Sequence, residues 1–216
     1  MRLKICGITN VPQAIEITNL GIDTLGFICV SKSPRYITGE KIKSIIQQLP
    51  NSISTIGVFV NEDWQNIVSI VKQTGLTGVQ LHGEEDSNYC QQLRESLPEI
   101  EIIKAFRYQN SQSLASLNSY LPIVDTILLD AYQADAYGGT GKKLNWQELK
   151  DFRPDRPWLL AGGLKPENVI EALNTVPCNG LDLSSGVEIS PGNKNITKVK
   201  QLWDVLNENL SAVTLS

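Results

Sequence analysis

KICGIT, residues 4–9, ends a short apolar run in a thiol and turns at once through a glycine. Around it the chain repeats short β-branched runs: Leu3–Cys6, Thr24–Ile28, Thr55–Val60, Gly78–Leu81, Glu101–Phe106, Thr126–Leu129, Trp158–Ala161 and Leu181–Leu183. Helical spacing fills the gaps. Ile42, Ile45, Ile46 and Leu49 share one helix face, as do Trp64, Ile67, Val68 and Val71, and Val199, Leu202, Trp203 and Leu206. Thr38 stands where an N-cap belongs, and Pro166 where a first helical turn begins. Alternation of this kind means parallel strands joined by right-handed crossovers, closed into a barrel or opened into a doubly wound sheet. An open nucleotide-binding sheet signs its first turn GxGxxG. Residues 6–9 read Cys-Gly-Ile-Thr instead. With even spacing over 216 residues, the expected fold is α/β, a single (β/α)8 barrel over residues 1–216, its last residues 209–216 a polar tail that frays.

Composition narrows the function classes. There are 19 basic against 23 acidic residues, a formal net charge of −4, which supplies no basic groove for nucleic acid and no cationic face for an anionic membrane. No apolar run nears the roughly 20 residues that span a bilayer. The cysteines Cys6, Cys29, Cys90 and Cys178 are widely spaced, with no CxxC pair, and a single histidine cannot complete a zinc ligand set. Met1–Lys4 leads into a strand rather than a long apolar segment. The expectation is a reduced, cytoplasmic protein, monomeric, with no metal.

In such barrels the working face is the C-terminal end of the strands. Polar residues and glycines collect there: Cys6 after the first run, Ser33-Pro34-Arg35-Tyr36 after the second, His82-Gly83-Glu84 after the fourth. Asp130 follows the sixth, ahead of a loop with Gly138, Gly139, Thr140, Gly141 and Lys142. Gly162-Gly163-Leu164 follows the seventh and Ser184-Ser185-Gly186 the eighth. Glycines at the last two strand ends let backbone N–H groups approach an anion, the usual barrel position for a phosphate. Arg35 has the planar fork that holds a carboxylate. A carboxylate placed as Asp130 is, straight after a buried strand, must be solvated, paired or functional. His82 is either a base or a ring that satisfies local backbone groups.

Taken in order, KICGIT, SPRY, GVQLHGEE, LLDA with YGGTGK, WLLAGGL and LDLSSGVE resemble the phosphoribosylanthranilate isomerase family of tryptophan biosynthesis, over Lys4 to about Lys194. The resemblance implies a (β/α)8 barrel that turns an aminoaldose phosphate into an aminoketose by Amadori rearrangement. It implies Cys6 as general base, Asp130 as general acid and Arg35 as the partner of the anthranilate carboxylate. His82, Gly139, Thr140, Gly141, Gly162, Gly163, Ser184, Ser185 and Gly186 become candidate substrate-binding residues. No metal, nicotinamide or flavin is required. The chemistry agrees: an acid protonates the ring oxygen as the furanose opens, and a base then removes the C2 proton acidified by the Schiff base. A thiol near its ordinary pKa of ~8.5 needs positive surroundings to serve. Cys29, Leu144 and Asn145 depart from the family's aromatic and acidic pattern. A non-catalytic phosphosugar-binding barrel is the alternative; a ribulose-phosphate epimerase would need metal-binding histidines that one histidine cannot supply.

Overall fold

The computed structural model of the chain describes residues 1–131 and 145–214. Eight parallel strands close into a barrel in chain order, β1 to β8. They are β1 (Arg2–Cys6), β2 (Thr24–Ile28), β3 (Ser54–Phe59), β4 (Gly78–Leu81), β5 (Glu101–Tyr108), β6 (Thr126–Ala131), β7 (Trp158–Leu160) and β8 (Gly180–Leu183). Closure joins β1 to β8, with Lys4 opposite Asp182. Among the described residues, six α-helices wrap the strands: α1 (Val11–Asn19), α2 (Gly39–Ile46), α3 (Trp64–Thr74), α4 (Ser87–Ser96), α5 (Val169–Thr175) and α6 (Ile196–Thr214). Short polar side chains cap the starts of α1 to α4. Thr38 accepts from the Lys41 N–H and Asn10 from that of Gln13.

Several expectations need correction. Between β5 and β6 the crossover is made of 3₁₀ turns, Ser111–Leu114 and Leu117–Ser119, and another, Trp146–Leu149, precedes β7. Ser, Asn and Gln crowd residues 109–119 and compete for backbone hydrogen bonds, so a longer helix is disfavoured there. Pro166 lies in the turn ahead of α5, whose first residue is Val169. Helix α6 runs from Ile196 to Thr214. A two-stranded hairpin, β9 (Glu188–Ser190) and β10 (Asn193–Lys194), follows β8 and has no counterpart in the sequence reading.

The core has two layers. A large apolar shell lies between strands and helices, where Ile42, Ile45, Ile67, Val71, Val199, Leu202 and Leu206 bury the helix faces read from spacing. Inside the ring a small cluster of Ile56, Ile103, Ala105, Leu128, Leu159 and Ala161 fills the space between the strands. On the side of β8, β1 and β2 the interior is charged instead. Lys4 and Asp182 face each other there, and Gly26 leaves room for them: a Cβ at Gly26 would stand 2.7 Å from the Cys6 Sγ and 3.0 Å from the Lys4 Nζ.

Candidate active site

A cavity of about 490 Å³ opens at the C-terminal ends of the strands. Its wall includes Cys6, Arg35, His82, Asp130, Gly162, Gly163, Ser184 and Ser185, so residues scattered through the chain converge on one space. Cys6 stands on β1 and Asp130 on β6, well apart around the ring, and both are nearly buried. Gly186 is not on the cavity wall. It packs against the β7 loop so closely that a Cβ would lie 1.9 Å from the Leu164 carbonyl oxygen. Gly139, Thr140 and Gly141, like Leu144, lie outside the described residues.

The thiol sits among charges. The Lys4 ammonium donates to both oxygens of Asp182 at 3.0 Å, and Lys4 and Cys6, two apart on β1, face the same side. Burial pushes the Cys6 thiol up, more than the nearby Lys4 and Lys194 ammoniums bring it down. Cationic surroundings are therefore present, but they do not overcome desolvation. Burial also raises Asp182, against the pull of Lys4. For Lys4 itself the cost of burial is outweighed by Asp182 and Cys6, and its pKa rises.

On the opposite wall Gln80 Nε2 lies 2.8 Å from His82 Nδ1. With that amide donating, the ring's own proton resides on Nε2, which lies 3.4 Å from an Asp130 carboxylate oxygen. The two groups are close, but without the geometry of a good hydrogen bond. Below, Lys104 pairs with Glu85 at 2.8 Å and also donates to the Gly83 carbonyl, which anchors the loop that carries His82. Glu85 in turn accepts from the Asn61 and Gly83 N–H groups.

Arg35 does not stand open. Its Nη2 donates to Glu188 at 2.7 Å and its Nε at 3.0 Å, a bidentate grip on a buried carboxylate. Just after β7, Gly162 (φ +89°) and Gly163 (φ +65°) turn through the left-handed region. Asn168 ties that loop down, donating to the Gly163 carbonyl and accepting from the Lys165 N–H. Of the residues departing from the family pattern, Cys29 is part-buried against the core and Asn145 donates to Glu148 on the surface.

Sequence reasoning missed Lys4, Gln80, Asp182, Glu188 and Lys194. A signal for three of them was present. Lys4, Gln80 and Asp182 each lie two residues before a strand-end residue already singled out (Cys6, His82, Ser184), and a period of two puts both on the inner face. Glu188 and Lys194 had no such signal, because they reach the site through a hairpin.

Comparison with known proteins places the chain in context. The family model described as N-(5'phosphoribosyl)anthranilate (PRA) isomerase matches residues 3–205. A relative from Gloeothece citriformis, named N-(5'-phosphoribosyl)anthranilate isomerase, is 54% identical over 207 residues, 96% of this chain and 94% of its own length. One of the same name from Nostoc punctiforme is 52% identical over 206 residues, 95% of this chain and 98% of its own. The crystal structure of phosphoribosyl anthranilate isomerase from Thermotoga maritima superposes with a TM-score of 0.87 at 35% identity, covering 96% of this chain and 99% of that one. A crystal structure of phosphoribosyl anthranilate isomerase in complex with reduced 1-(o-carboxyphenylamino)-1-deoxyribulose 5-phosphate gives 0.84 at 35% identity, again covering 96% and 99%.

Proposed function

This chain belongs to the N-(5'-phosphoribosyl)anthranilate isomerase family, and from that membership we propose that Cys6 and Asp130 carry its reaction as base and acid. The enzyme converts N-(5'-phosphoribosyl)anthranilate to 1-(2-carboxyphenylamino)-1-deoxyribulose 5-phosphate in tryptophan biosynthesis. The observation that carries the assignment of roles is that Cys6 and Asp130 line the same cavity as the glycine and serine loops after β7 and β8.

In this reading the phosphate sits at Gly162, Gly163, Ser184 and Ser185, with Gly186 holding the two loops together. Arg35 faces the ring carboxylate. Asp130 gives its proton to the furanose oxygen as the C1–O bond breaks, leaving a Schiff base whose C2 proton is acidic. Cys6 takes that proton, and the enolamine tautomerises to the ketone, so no atom is gained or lost. His82, held by Gln80, steadies the Asp130 carboxyl between transfers. Burial excludes water, which strengthens the electrostatics inside the cavity.

Cys6→Ser and Asp130→Asn are each expected to lower kcat by ~10²–10⁴-fold, the usual weight of a positioned acid or base, with circular dichroism unchanged. Turnover at the wild-type rate in either variant removes the assignment. The protein is further read as a cytoplasmic monomer. Its four cysteines are all free, and Met1, Tyr36 and Ile189 are the large hydrophobics exposed among the described residues. No described helix is long and apolar enough to cross a membrane.

A further inference from the structure

The hairpin of β9 and β10 brings two charges inward at the mouth of the barrel. The Glu188 side chain is 4% exposed and that of Lys194 is fully buried. Ions so placed persist only when paired and hydrogen-bonded. Glu188 Oε1 accepts from Lys194 Nζ at 2.7 Å, from Arg35 Nε at 3.0 Å and from the Gly192 N–H at 3.1 Å, while Oε2 accepts from Arg35 Nη2 at 2.7 Å. Lys194 then donates to the Cys6 carbonyl oxygen and lies 3.4 Å from both the carbonyl and the hydroxyl of Ser184. One carboxylate is thus joined directly to Arg35, and through one ammonium to the backbone of the thiol residue and of the β8 loop.

The surroundings are built for this arrangement. Gly7, at φ +83°, passes beneath it, and a Cβ there would meet Arg35 Cδ at 2.8 Å and Lys194 Nζ at 3.4 Å. Burial would raise the Glu188 carboxyl, but Arg35 and Lys194 outweigh it and hold it below the ordinary carboxylate range. Glu188 is therefore an anion at neutral pH. Its grip uses the Nε and Nη2 edge of Arg35, so the Nη1 end of the guanidinium is the part not engaged by Glu188. An arginine fixed along one edge before a ligand arrives loses less rotamer freedom when it binds.

We propose that Glu188 is a positioning residue, which fixes Arg35 for the substrate's ring carboxylate and, through Lys194, holds the Cys6 backbone against the Ser184 loop. The inference rests on the reading of Arg35 as the carboxylate anchor. Glu188→Gln keeps the size and removes the charge. It is expected to raise KM for phosphoribosylanthranilate by ~10-fold and to lower kcat by less than that, since the lost interaction is one of binding more than of chemistry.

Two inhibitors distinguish positioning from mere support of the fold: the reduced product analogue, and the same molecule without its ring carboxylate. Glu188→Gln should weaken the first by ~10-fold and the second by under ~2-fold, and it should add little in an Arg35→Ala background, as coupled residues do. Equal weakening of both inhibitors, an unchanged KM or a lowered KM would each overturn the proposal; the last would make Glu188 a competitor for Arg35. If Arg35→Ala leaves both inhibitors unaffected, the anchor reading fails and the proposal fails with it. If Arg35→Ala discriminates between them and Glu188→Gln does not, only the proposal fails. Should Glu188→Gln not fold, Glu188→Asp keeps the charge but withdraws it by one methylene, and the same selective loss, smaller in size, is expected. Equal loss for both inhibitors with that variant overturns the proposal as well.

Discussion

Opposing forces act on the sulfur of Cys6. Burial holds the proton on, while Lys4 and Lys194 favour its loss. In the proposed role of base, such a thiol is strong once ionised but scarce in that form at neutral pH. The expected consequence is a kcat/KM that rises with pH on its acid limb as the thiol ionises. In Lys4→Met that limb should move to higher pH, because a cation that lowered the thiol is gone; a limb that stays put would separate Lys4 from the chemistry. Stability gives a second readout at the same residue. Removing one partner of the buried Lys4–Asp182 pair is expected to cost about 3–5 kcal/mol, and a Lys4→Met/Asp182→Leu pair to recover much of that without recovering activity. Denaturant unfolding of the single and double variants decides it.

At the scale of elements, the last two βα loops work as one unit. Gly163 adopts φ +65°, a backbone conformation that side chains disfavour, and Gly186 lies so close to the Leu164 carbonyl that no side chain fits there without backbone change. Gly163→Val forces a β-branched residue into the left-handed region at a cost of about 1–2 kcal/mol. Gly186→Ala must push the two loops apart. Both are expected to weaken inhibition by inorganic phosphate several-fold, measured by competition in the steady-state assay. An unaltered phosphate affinity in both would move the phosphate elsewhere. The glycines of these loops were legible in advance by position, each following an apolar strand-length run. The β9–β10 hairpin was not legible. Ile189 is 68% exposed, and a short strand with its apolar residue facing solvent carries no amphipathic signature. The 3₁₀ crossovers were also missed, since apolar residues such as Leu114 and Leu117 still pack on the core without completing a helical period.

Over the whole molecule, buried and part-buried thiols make stability depend on alkaline pH. Burial raises Cys29 and Cys90 to about 12 and Cys178 to about 11. In the unfolded chain these groups ionise near ~8.5, so above that pH the unfolded state releases protons that the folded state retains. Their contribution is fully present below the unfolded value and is lost as pH rises toward the folded values, by up to ~1.4 kcal/mol per thiol per pH unit. Thermal unfolding should therefore show Tm falling between pH 8 and 10.5, with a shallower fall in Cys29→Ala; parallel curves would rule out this linkage. Light scattering is expected to give the monomer mass of 23.9 kDa. A dimer mass would show that surface at Tyr36 or Ile189 is covered in solution.

The barrel and the ends of its strands were determined by the sequence alone, because periodicity and strand-end residue type are local properties of the chain. Which charges meet was decided only by the tertiary structure. Lys4 finds Asp182 because closure of the ring sets β1 beside β8 in one register, and Arg35 finds Glu188 because a hairpin folds back over the mouth. Such pairings join residues 178 and 153 positions apart, and the energy of a buried ion depends on the partner beside it rather than on its neighbours along the chain.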